Sequence, residues 1–361
     1  MAYRIVVHSS ALDCLRAIGS VAMADSARTN YLVGFIFERW LRASATPVQA
    51  EAEETESKPD KKAEIMITVW AGQDLRLMFS KLGSAQCKLV SPLAPSALVK
   101  LARPLIPQLA AHLLTLSPFL SAPELLRSIA GPKVLIDAFL SCWPHPRKAS
   151  PSMEMYPCSA TSAPPTVDLP LNHSISRVQD IHQIPREDLE ALAYLLIGFF
   201  AGAETAPRLD LEQAIKHWRK FVQAGALWVY RAPPVSTPVS NATSTIPVGF
   251  VTTGRPTLRT VAIRGVFVAA SHRQQGIAER MTACVSRAHL IDVPRLDLDY
   301  ARQPAEMLIE PATKWGGKEE VCLFVEPSNP TARRVYERVG FEVEEERWCD
   351  WDLEGIEPGH R

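Results

Sequence analysis

The feature that most constrains the fold is a strand that runs through a glycine bend directly into a helix. Residues 265–290 read GVFVAASHRQQGIAERMTACVSRAHL, and the bend carries the pattern Arg273-x-x-Gly276-x-Ala278. Small residues at 276 and 278 let a ligand approach the backbone closely. The helix offers unpaired N–H groups at the positive end of its dipole. The segment predicts an anion site of the pyrophosphate type, although an ordinary strand–turn–helix with a solvated arginine fits the same residues.

A second strand and helix meet further along the chain, within residues 322–348. The strand gives way to an Asn329-Pro330 turn, and proline suits the first position of the helix that follows. Gly340 is expected to end that helix. Tyr336 lies about two helical turns beyond Asn329, from where it could face the end of a neighbouring strand. The alternative is a tyrosine at the edge of the core whose hydroxyl simply finds a partner.

Together the two segments resemble the signature regions of the GNAT superfamily, the acyl-CoA-dependent N-acyltransferases. The first has the form of that family's pyrophosphate loop, and the second has the form N-P-x-A-x-x-x-Y-x-x-x-G-F, here from Asn329 to Phe341. The resemblance covers roughly residues 172–355. It implies an α/β fold with a mixed sheet, in which a GNAT-like acyl-CoA N-acyltransferase domain follows a smaller mixed α/β domain. An insertion over 299–318 lengthens the gap between the signatures; it could form a lid or a substrate wall, or be disordered.

The resemblance also implies roles for individual residues. Backbone amides of the glycine bend would bind the CoA pyrophosphate, and the free edge of the preceding strand would pair with the pantetheine arm. Asn329 would lie where two parallel strands separate and the acetyl thioester lodges. Tyr336 would be the general acid that protonates the departing thiolate, which suits a phenol with an ordinary pKa of about 10. The residues implied to bind the cofactor are Val266, Val268, Arg273, Gln275, Gly276, Ile277, Ala278 and Asn329.

The sequence does not fix the general base. The strand over residues 261–270 carries no carboxylate, so the glutamate that some family members use as a base is missing there. Glu326, at the end of a central strand beside the expected cleft, is the preferred replacement; His272 and a chain of water molecules are the alternatives. The implied catalytic residues are Tyr336, Asn329 and Glu326, with acetyl-CoA as cosubstrate and no metal.

The part of the chain before these segments carries no catalytic constellation. Residues 144–170 hold seven prolines and are the best candidate for a domain boundary. Short strands are expected over 65–70 and 87–90, and helices over 96–116 and 123–140. The resemblance extends to two-domain members of the family, which suggests that the first half is a degenerate, non-catalytic relative. The expected divisions are an N-terminal mixed α/β region over 1–150, a Pro-rich linker over 151–171 and a GNAT-like domain over 172–361.

Composition excludes several classes of protein. The 39 basic residues equal the 39 acidic ones, so no global positive field would draw the chain to nucleic acid or anionic lipid. The seven cysteines lack CxxC or zinc-finger spacing, which argues against disulfides and structural zinc. Neither a signal peptide nor a membrane span is evident. We expect an intracellular, cytoplasmic protein that binds neither nucleic acid nor membrane.

Three functions are compatible with these residues. The favoured one is an acetyl-CoA-dependent N-acetyltransferase that acts on a primary amine by direct transfer; a non-catalytic CoA-binding sensor or scaffold on the same fold is the alternative. A nucleotide-binding protein ranks last, because neither G-x-x-x-x-G-K-[ST] nor G-x-G-x-x-G occurs. The acceptor amine and the oligomeric state are left open. An acidic rim at 344–346 would favour a cationic amine, but such a run is more often a solvated face.

Overall fold

The computed structural model describes residues 3–24, 26–44, 64–83, 85–202, 208–235, 244–257, 259–291 and 317–355. All but the last two residues of the insertion expected over 299–318 lie outside these ranges. Both signature segments fall within them.

The first half of the chain alternates strands and helices. Its strands are β1 (Arg4–His8), β2 (Glu64–Ala71), β3 (Asp74–Leu82), β4 (Cys87–Val90), β5 (Ser128–Pro132) and β6 (Met153–Ala160). Its helices are α1 (Ala11–Ala24), α2 (Ser26–Ser44), α3 (Pro95–Leu113) and α4 (Lys133–Cys142).

The second half follows the same order of elements. Its strands are β7 (Ser174–Arg177), β8 (Leu227–Ala232), β9 (Ile246–Gly254), β10 (Thr260–Val268), β11 (Glu320–Val325), β12 (Glu342–Val343) and β13 (Trp348–Asp352). Its helices are α5 (Arg186–Ala201), α6 (Leu211–Gln223), α7 (Ile277–Ile291) and α8 (Pro330–Val339). Local chemistry explains several ends: α6 begins at a capping box in which the Asp210 and Gln213 side chains each bond the other's backbone N–H.

The described strands form one sheet in the order β1-β2-β3-β4-β5-β13-β6-β11-β10-β9-β8-β7, with β12 also on β6. Strands β1 to β4 pair antiparallel in succession, and β4 pairs parallel with β5. Strands β7 to β10 pair in the same way, and β10 pairs parallel with β11. Each half also places two helices between its first two strands and one between its parallel strands. The two halves therefore repeat one topology.

The two halves exchange their last strands. β6 follows the helices of the first half but pairs with β11 of the second, with Ala160 opposite Val321. β13 ends the second half but pairs with β5 of the first, with Trp348 opposite Pro132. The two exchanged strands also pair with each other. The sheet is continuous because each half completes the other.

This exchange corrects the expectation of a linker over 151–171. Met153–Ala160 form a strand in the middle of the sheet, so the linker interpretation is wrong for these residues. The proline count hid a buried strand, in which Met155 and Pro157 are both buried. Residues 161–170 contain no helix or strand, and a turn begins at residue 171.

The helix expected over 123–140 is also wrong in part. Ser128–Pro132 form β5, all five residues are buried, and α4 begins only at Lys133. A short, continuously buried strand cannot be distinguished from a helix by hydrophobic period alone. The strands expected over 65–70 and 87–90 are confirmed as parts of β2 and β4, and the helix over 96–116 as α3.

Different helices cover the two faces of the second half. On one face, α7 and α8 pack against alternate residues of β10 and β11, including Val261, Ile263 and Leu323. On the opposite face, α5 and α6 cover β8 and β9. There α2 of the first half reaches across, and its Ala27 packs with Ala262 and Cys322 where β10 and β11 begin. The first half thus supplies part of the wall around the parallel strands.

Candidate active site

The parallel strands β10 and β11 separate after a short paired stretch. Their register begins at Thr260 opposite Glu320 and ends at Ala262 opposite Cys322, although both strands continue for several residues. On its other side β10 stays paired with β9, but the register shifts between Ile263 and Gly265. An extra residue on one strand bends that strand and strengthens its twist. The bulge therefore turns β10 away from β11 and opens a split between them.

The strand edge that borders this split presents free backbone groups. The N–H of Ala269 donates to the carbonyl of Val248, which fixes the alternation of the antiparallel ladder between β9 and β10. By that alternation, the N–H and C=O groups of Val266 and Val268 point away from β9 and towards the split. These are the two residues expected to pair with an extended ligand, and their backbones have that orientation. The Val268 carbonyl already accepts the Nε–H of Arg273 at 3.1 Å, so the groups left open are both of Val266 and the N–H of Val268.

The glycine bend follows at the end of β10. Gly276 has φ +72° and Gln274 has φ +61°, so the chain makes two left-handed steps before α7 begins. Successive N–H groups in such a conformation turn inward and form an anion-binding concavity. Gly276 is exposed, as are its three preceding neighbours. The sequence identified Gly276, and the contribution of Gln274 was missed because a glutamine gives little sign of a positive φ.

The residues at the start of α7 divide into core and rim. Ile277 is buried and Ala278 is half-buried against the cluster that α7 shares with the sheet. Their backbone N–H groups lie in the first turn of α7, where no intrahelical acceptor exists. Gln275 is exposed, and its carbonyl accepts a hydrogen bond from the guanidinium of Arg280. The candidate anion site therefore consists of backbone N–H groups, which the buried side chain of Ile277 holds in place.

Two arginines border the bend. Arg273 donates from Nε to the carbonyl of Val268 at 3.1 Å, and its guanidinium lies 5.5 Å from the ring centre of Phe267. Arg273 is therefore hydrogen-bonded to the last residue of β10 although the arginine itself is exposed. Arg280, one turn into α7, folds back onto the bend through its bond to Gln275. Sequence reasoning missed Arg280, although its position four residues after Gly276 places it on the same side of the helix.

Helix α8 starts where β11 ends. The side-chain oxygen of Asn329 accepts the N–H of Ala332 at 3.0 Å, so Asn329 caps α8, and Pro330 occupies the first helical position. Gly340 closes the helix with φ +99°. Asn329 is exposed, and its predicted place beside the thioester stays a prediction.

Tyr336 lies on the inner side of α8. Its ring packs against Phe341 with centroids 6.0 Å apart, and it contacts the same hydrophobic cluster as Val266 and Ala278. Among the residues that the structure describes, its hydroxyl has no hydrogen-bond partner. Burial raises the pKa of Tyr336 to about 12, with the nearby Cys158 thiol acting in the same direction. The phenol therefore keeps its proton at neutral pH.

The glycine bend and the tyrosine share one side of the sheet. Glu279 in the first turn of α7 forms an ion pair at 2.7 Å with Arg338 in the last turn of α8. Ile277, Val339 and Phe341 are buried in one common cluster with the parallel strands. The split, the open amides and the phenol thus belong to one surface.

Several solved structures are similar to this chain over nearly its whole length. A GCN5-related N-acetyltransferase from Sphaerobacter thermophilus aligns over 98% of this chain and 96% of its own, with 14% identity and a TM-score of 0.50. A Drosophila protein aligns over 97% of both chains, with 9% identity and a TM-score of 0.53. A tandem GNAT protein from the clavulanic acid biosynthesis pathway aligns over 99% of this chain, with 12% identity and a TM-score of 0.47.

The chain has the GNAT fold. The alignment with the Sphaerobacter protein extends through both halves, so the fold is not restricted to the second half. No protein-family model matches the chain, and no curated protein matches it in sequence.

The two candidates for a general base occupy different places in this GNAT fold. Glu326 directly follows β11, is exposed, and accepts a hydrogen bond from the hydroxyl of Ser328 at 3.3 Å. His272 is 4% exposed, and its ring nitrogens lie within hydrogen-bond distance of the Ser271 hydroxyl and the Pro233 carbonyl. The histidine therefore stabilises the turn through its hydrogen bonds, while the glutamate is exposed to solvent directly after β11.

The first half has the GNAT topology without the glycine bend. The turn between β4 and α3 reads SPLA, and α3 begins with Pro95, which has no N–H to offer an anion. An open recess of about 400 Å³ lies where α3 and α4 start. The cations around it are already paired: Lys133 with Asp137 at 2.6 Å, and Arg347 with Glu154 at 3.3 Å. Only the second half, among the described residues, combines a strand split with open amides.

Two features are absent from the part of the chain that the structure describes. No group of three or more His, Cys, Asp or Glu side chains is placed to hold a metal ion. No helix in the described ranges is long and apolar enough to cross a membrane.

Proposed function

We propose that the chain is an acetyl-CoA-dependent N-acetyltransferase that acts on a primary amine. The observation that carries the proposal is the split between β10 and β11, which leads on one side to the open amides at Gly276 and on the same side to Tyr336. The GNAT fold, and the name of the Sphaerobacter protein that shares it, support the same activity. In this arrangement the pyrophosphate of acetyl-CoA binds at the bend, and the pantetheine arm pairs with Val266 and Val268.

The transfer we propose is direct. The neutral amine forms a bond to the acetyl carbon, the carbon–sulfur bond breaks, and the electron pair leaves on sulfur. In this proposal Tyr336 gives its proton to that sulfur. Two observations support the role: the phenol stays protonated at neutral pH, and its hydroxyl is not held by another described residue. The amine loses one proton to Glu326 or to water. A proton passed on from there to Tyr336 regenerates the phenol. The acetamide and the free thiol are the products.

Glu326 is the proposed acceptor of the amine proton. Its carboxylate is exposed at the end of β11, on the strand that borders the split. An exposed carboxylate is a weak base, so its contribution is expected to be modest compared with that of the phenol. Asn329 is proposed to act mainly by fixing the start of α8, from which Tyr336 projects.

The experiment is isothermal titration with acetyl-CoA, followed by a mass-spectrometric screen of primary amines. We expect saturable binding of one acetyl-CoA per chain and an added acetyl group on at least one class of amine. Absence of binding at tens of micromolar protein would remove the proposal. Tight binding of acetyl-CoA with no product from any amine would favour a non-catalytic CoA-binding protein instead.

A further inference from the structure

Three cations converge on one aromatic ring at the boundary between the two halves. The ammonium of Lys88 lies 4.1 Å from the ring centre of Phe35, and the guanidinium carbons of Arg255 and Arg264 lie 5.9 and 5.7 Å from it. Phe35 belongs to α2 of the first half, whereas both arginines belong to the second half. Cations are attracted to aromatic faces at these distances.

The described charges near this ring leave one positive charge in excess. Asp350 lies near Lys88 and raises its pKa, whereas burial, the larger effect, lowers the pKa of Lys88 to about 8. Glu38 accepts the backbone N–H of Arg255 at 2.6 Å. His217 faces Arg264 from α6, and burial lowers its pKa, so the imidazole is neutral at pH 7. Three cations therefore face two carboxylates.

Only one of the three cations is open to solvent. Lys88 and Arg255 are each 4% exposed, and Lys88 donates to the Gln86 carbonyl at 3.1 Å. Arg264 is exposed, and within the described ranges its guanidinium forms neither a hydrogen bond nor an ion pair. Arg264 is therefore the cation that a solute can reach, although Glu38 Oε1 lies close to its side chain beside Gly254.

The position of Arg264 relates it to the candidate active site. Arg264 lies at the bulge where β10 leaves β11, two residues after the last paired position, Ala262. Its side chain lies on the face that α2 covers and rests directly on Gly254, which leaves room for it because it has no side chain. Val266 and Tyr336 belong to the cluster on the opposite face. Arg264 and Val266 therefore lie beside the split on opposite faces of β10, so an acceptor bound at Arg264 would approach the split from the face opposite the Val266 cluster.

We propose that Arg264, lying over Phe35, binds a carboxylate of the acceptor amine, so that the substrate class is amines that also carry a carboxylate. This inference rests on the proposed acetyltransferase function. The guanidinium offers two parallel N–H donors that match the two oxygens of a carboxylate. A single excess positive charge matches the single negative charge of a carboxylate better than a phosphate, which carries close to two. The two halves of the molecule together form this subsite.

The test compares free L-amino acids with the same amino acids as carboxamides, using acetyl-CoA as donor and the full-length chain. Phosphoethanolamine serves as the phosphate-bearing amine. We expect the acids to have kcat/KM at least tenfold above the amides and above phosphoethanolamine. Arg264→Gln should abolish this preference, mainly through KM. Arg264→Lys should recover part of it, because the charge returns without the two-pronged geometry.

Two further variants separate recognition from folding. Gly254→Ala keeps the arginine but places a methyl group where its side chain rests, so it should raise KM for the acids as well. Arg103→Gln removes an exposed arginine from α3 in the first half and should leave both substrates unaffected. Acetyl-CoA affinity, measured by titration, should be unchanged in all four variants.

The outcomes distinguish the two proposals. If acetyl-CoA does not bind, the acetyltransferase function itself fails. If acetyl-CoA binds but amides or phosphoethanolamine are acetylated as fast as the acids, or no acid is acetylated, the carboxylate subsite is overturned and the enzyme proposal stands or falls on other amines. An unchanged preference in Arg264→Gln would likewise overturn it.

Discussion

The chemistry proposed for this chain depends most on the surroundings of one phenol. Tyr336 is placed on α8 by two local signals, the Asn329 cap and the Gly340 stop, which fix where the helix begins and ends. The sequence predicted the helix and its ends, and it left open whether the tyrosine faces a neighbouring strand end or lies at the edge of the core. It could not predict the raised pKa of Tyr336, because the main cause is burial in the folded core. The smaller contribution comes from the Cys158 thiol on β6, which the sequence analysis assigns to a linker.

Tyr336→Phe should lower kcat by about 100-fold, since general acid catalysis of this kind contributes roughly that much. Affinity for acetyl-CoA should stay within about twofold, because the ring and its packing against Phe341 are retained. Steady-state kinetics and titration measure the two quantities. Tyr194→Phe, on the exposed side of α5, is the matched control and should behave as the parent chain. A fully active Tyr336→Phe variant would remove the phenol from the mechanism.

The pH dependence of kcat tests the same residue in the parent chain. Because burial raises the pKa of Tyr336 to about 12, the acid form persists well above the range in which an ordinary phenol ionises. We expect kcat at saturating substrate to show no decline on the alkaline side up to about pH 10. A decline centred at about pH 9 that disappears in Tyr336→Phe would contradict this assignment.

At the scale of elements, the sequence predicted the two strand–helix junctions of the second half, at Gly276 and at Asn329-Pro330, and both are confirmed. Hydrophobic periodicity did not predict the separation of β10 from β11. A β-bulge at Arg264 changes the direction of the strand without changing its composition. The periodicity also did not assign a helix to the wall beside these strands. That helix is α2, whose Asn30 donates to the Arg255 carbonyl and the Thr260 hydroxyl, both at 2.8 Å.

The glycine bend gives a prediction in which strain and binding can be separated. Gly276→Ala forces a side chain into a left-handed conformation and brings its Cβ to 3.0 Å from the Arg280 guanidinium. We expect a loss of about 1 kcal/mol in the free energy of unfolding and an acetyl-CoA Kd about tenfold weaker, or about 1.4 kcal/mol. Chemical denaturation and titration measure these.

Gly72→Ala is the control for that strain. Gly72 has φ +63° in the turn between β2 and β3, and a Cβ there meets nothing within 4 Å. This variant should lose a similar free energy of unfolding while the Kd for acetyl-CoA is unchanged. Equal weakening of binding in both variants would show that the bend has no special part in it.

At the scale of the whole molecule, the resemblance to two-domain members predicts a first half related to the second, and the repeated strand topology confirms it. The repetition does not show in the residues themselves. The first half lacks the glycine bend and the Asn-Pro turn that identify the second, so no motif repeats even though the strand pairing does. The expected division into 1–150 and 172–361 stays a proposal. It describes the order of the halves along the chain but omits the exchange of β6 and β13, since pairing between distant strands leaves no local pattern.

Removal of residues 348–361 tests the exchange. This truncation deletes β13, with Trp348 fully buried and Trp351 nearly so, from between β5 and β6. Each buried tryptophan is worth about 3–5 kcal/mol, against a total stability of about 5–15 kcal/mol for a domain. We expect loss of cooperative thermal unfolding by circular dichroism and aggregation on size exclusion.

The control for that truncation removes only residues 356–361, which leaves every described strand in place. It should unfold at the temperature of the full chain. A truncated chain without β13 that still melts cooperatively and binds acetyl-CoA would show that the two halves are independent of the exchange.

The exchange of β13 also affects when each half can complete its folding during synthesis. β5 borders β13 on one side, so during translation that edge stays unpaired until residues 348–352 have been made. An exposed strand edge invites pairing with other chains, and nascent domains that stay open are prone to aggregate. The amino-terminal half, although made first, therefore reaches its final form no earlier than the carboxyl-terminal half, and chaperones that shield strand edges are expected to matter most for it.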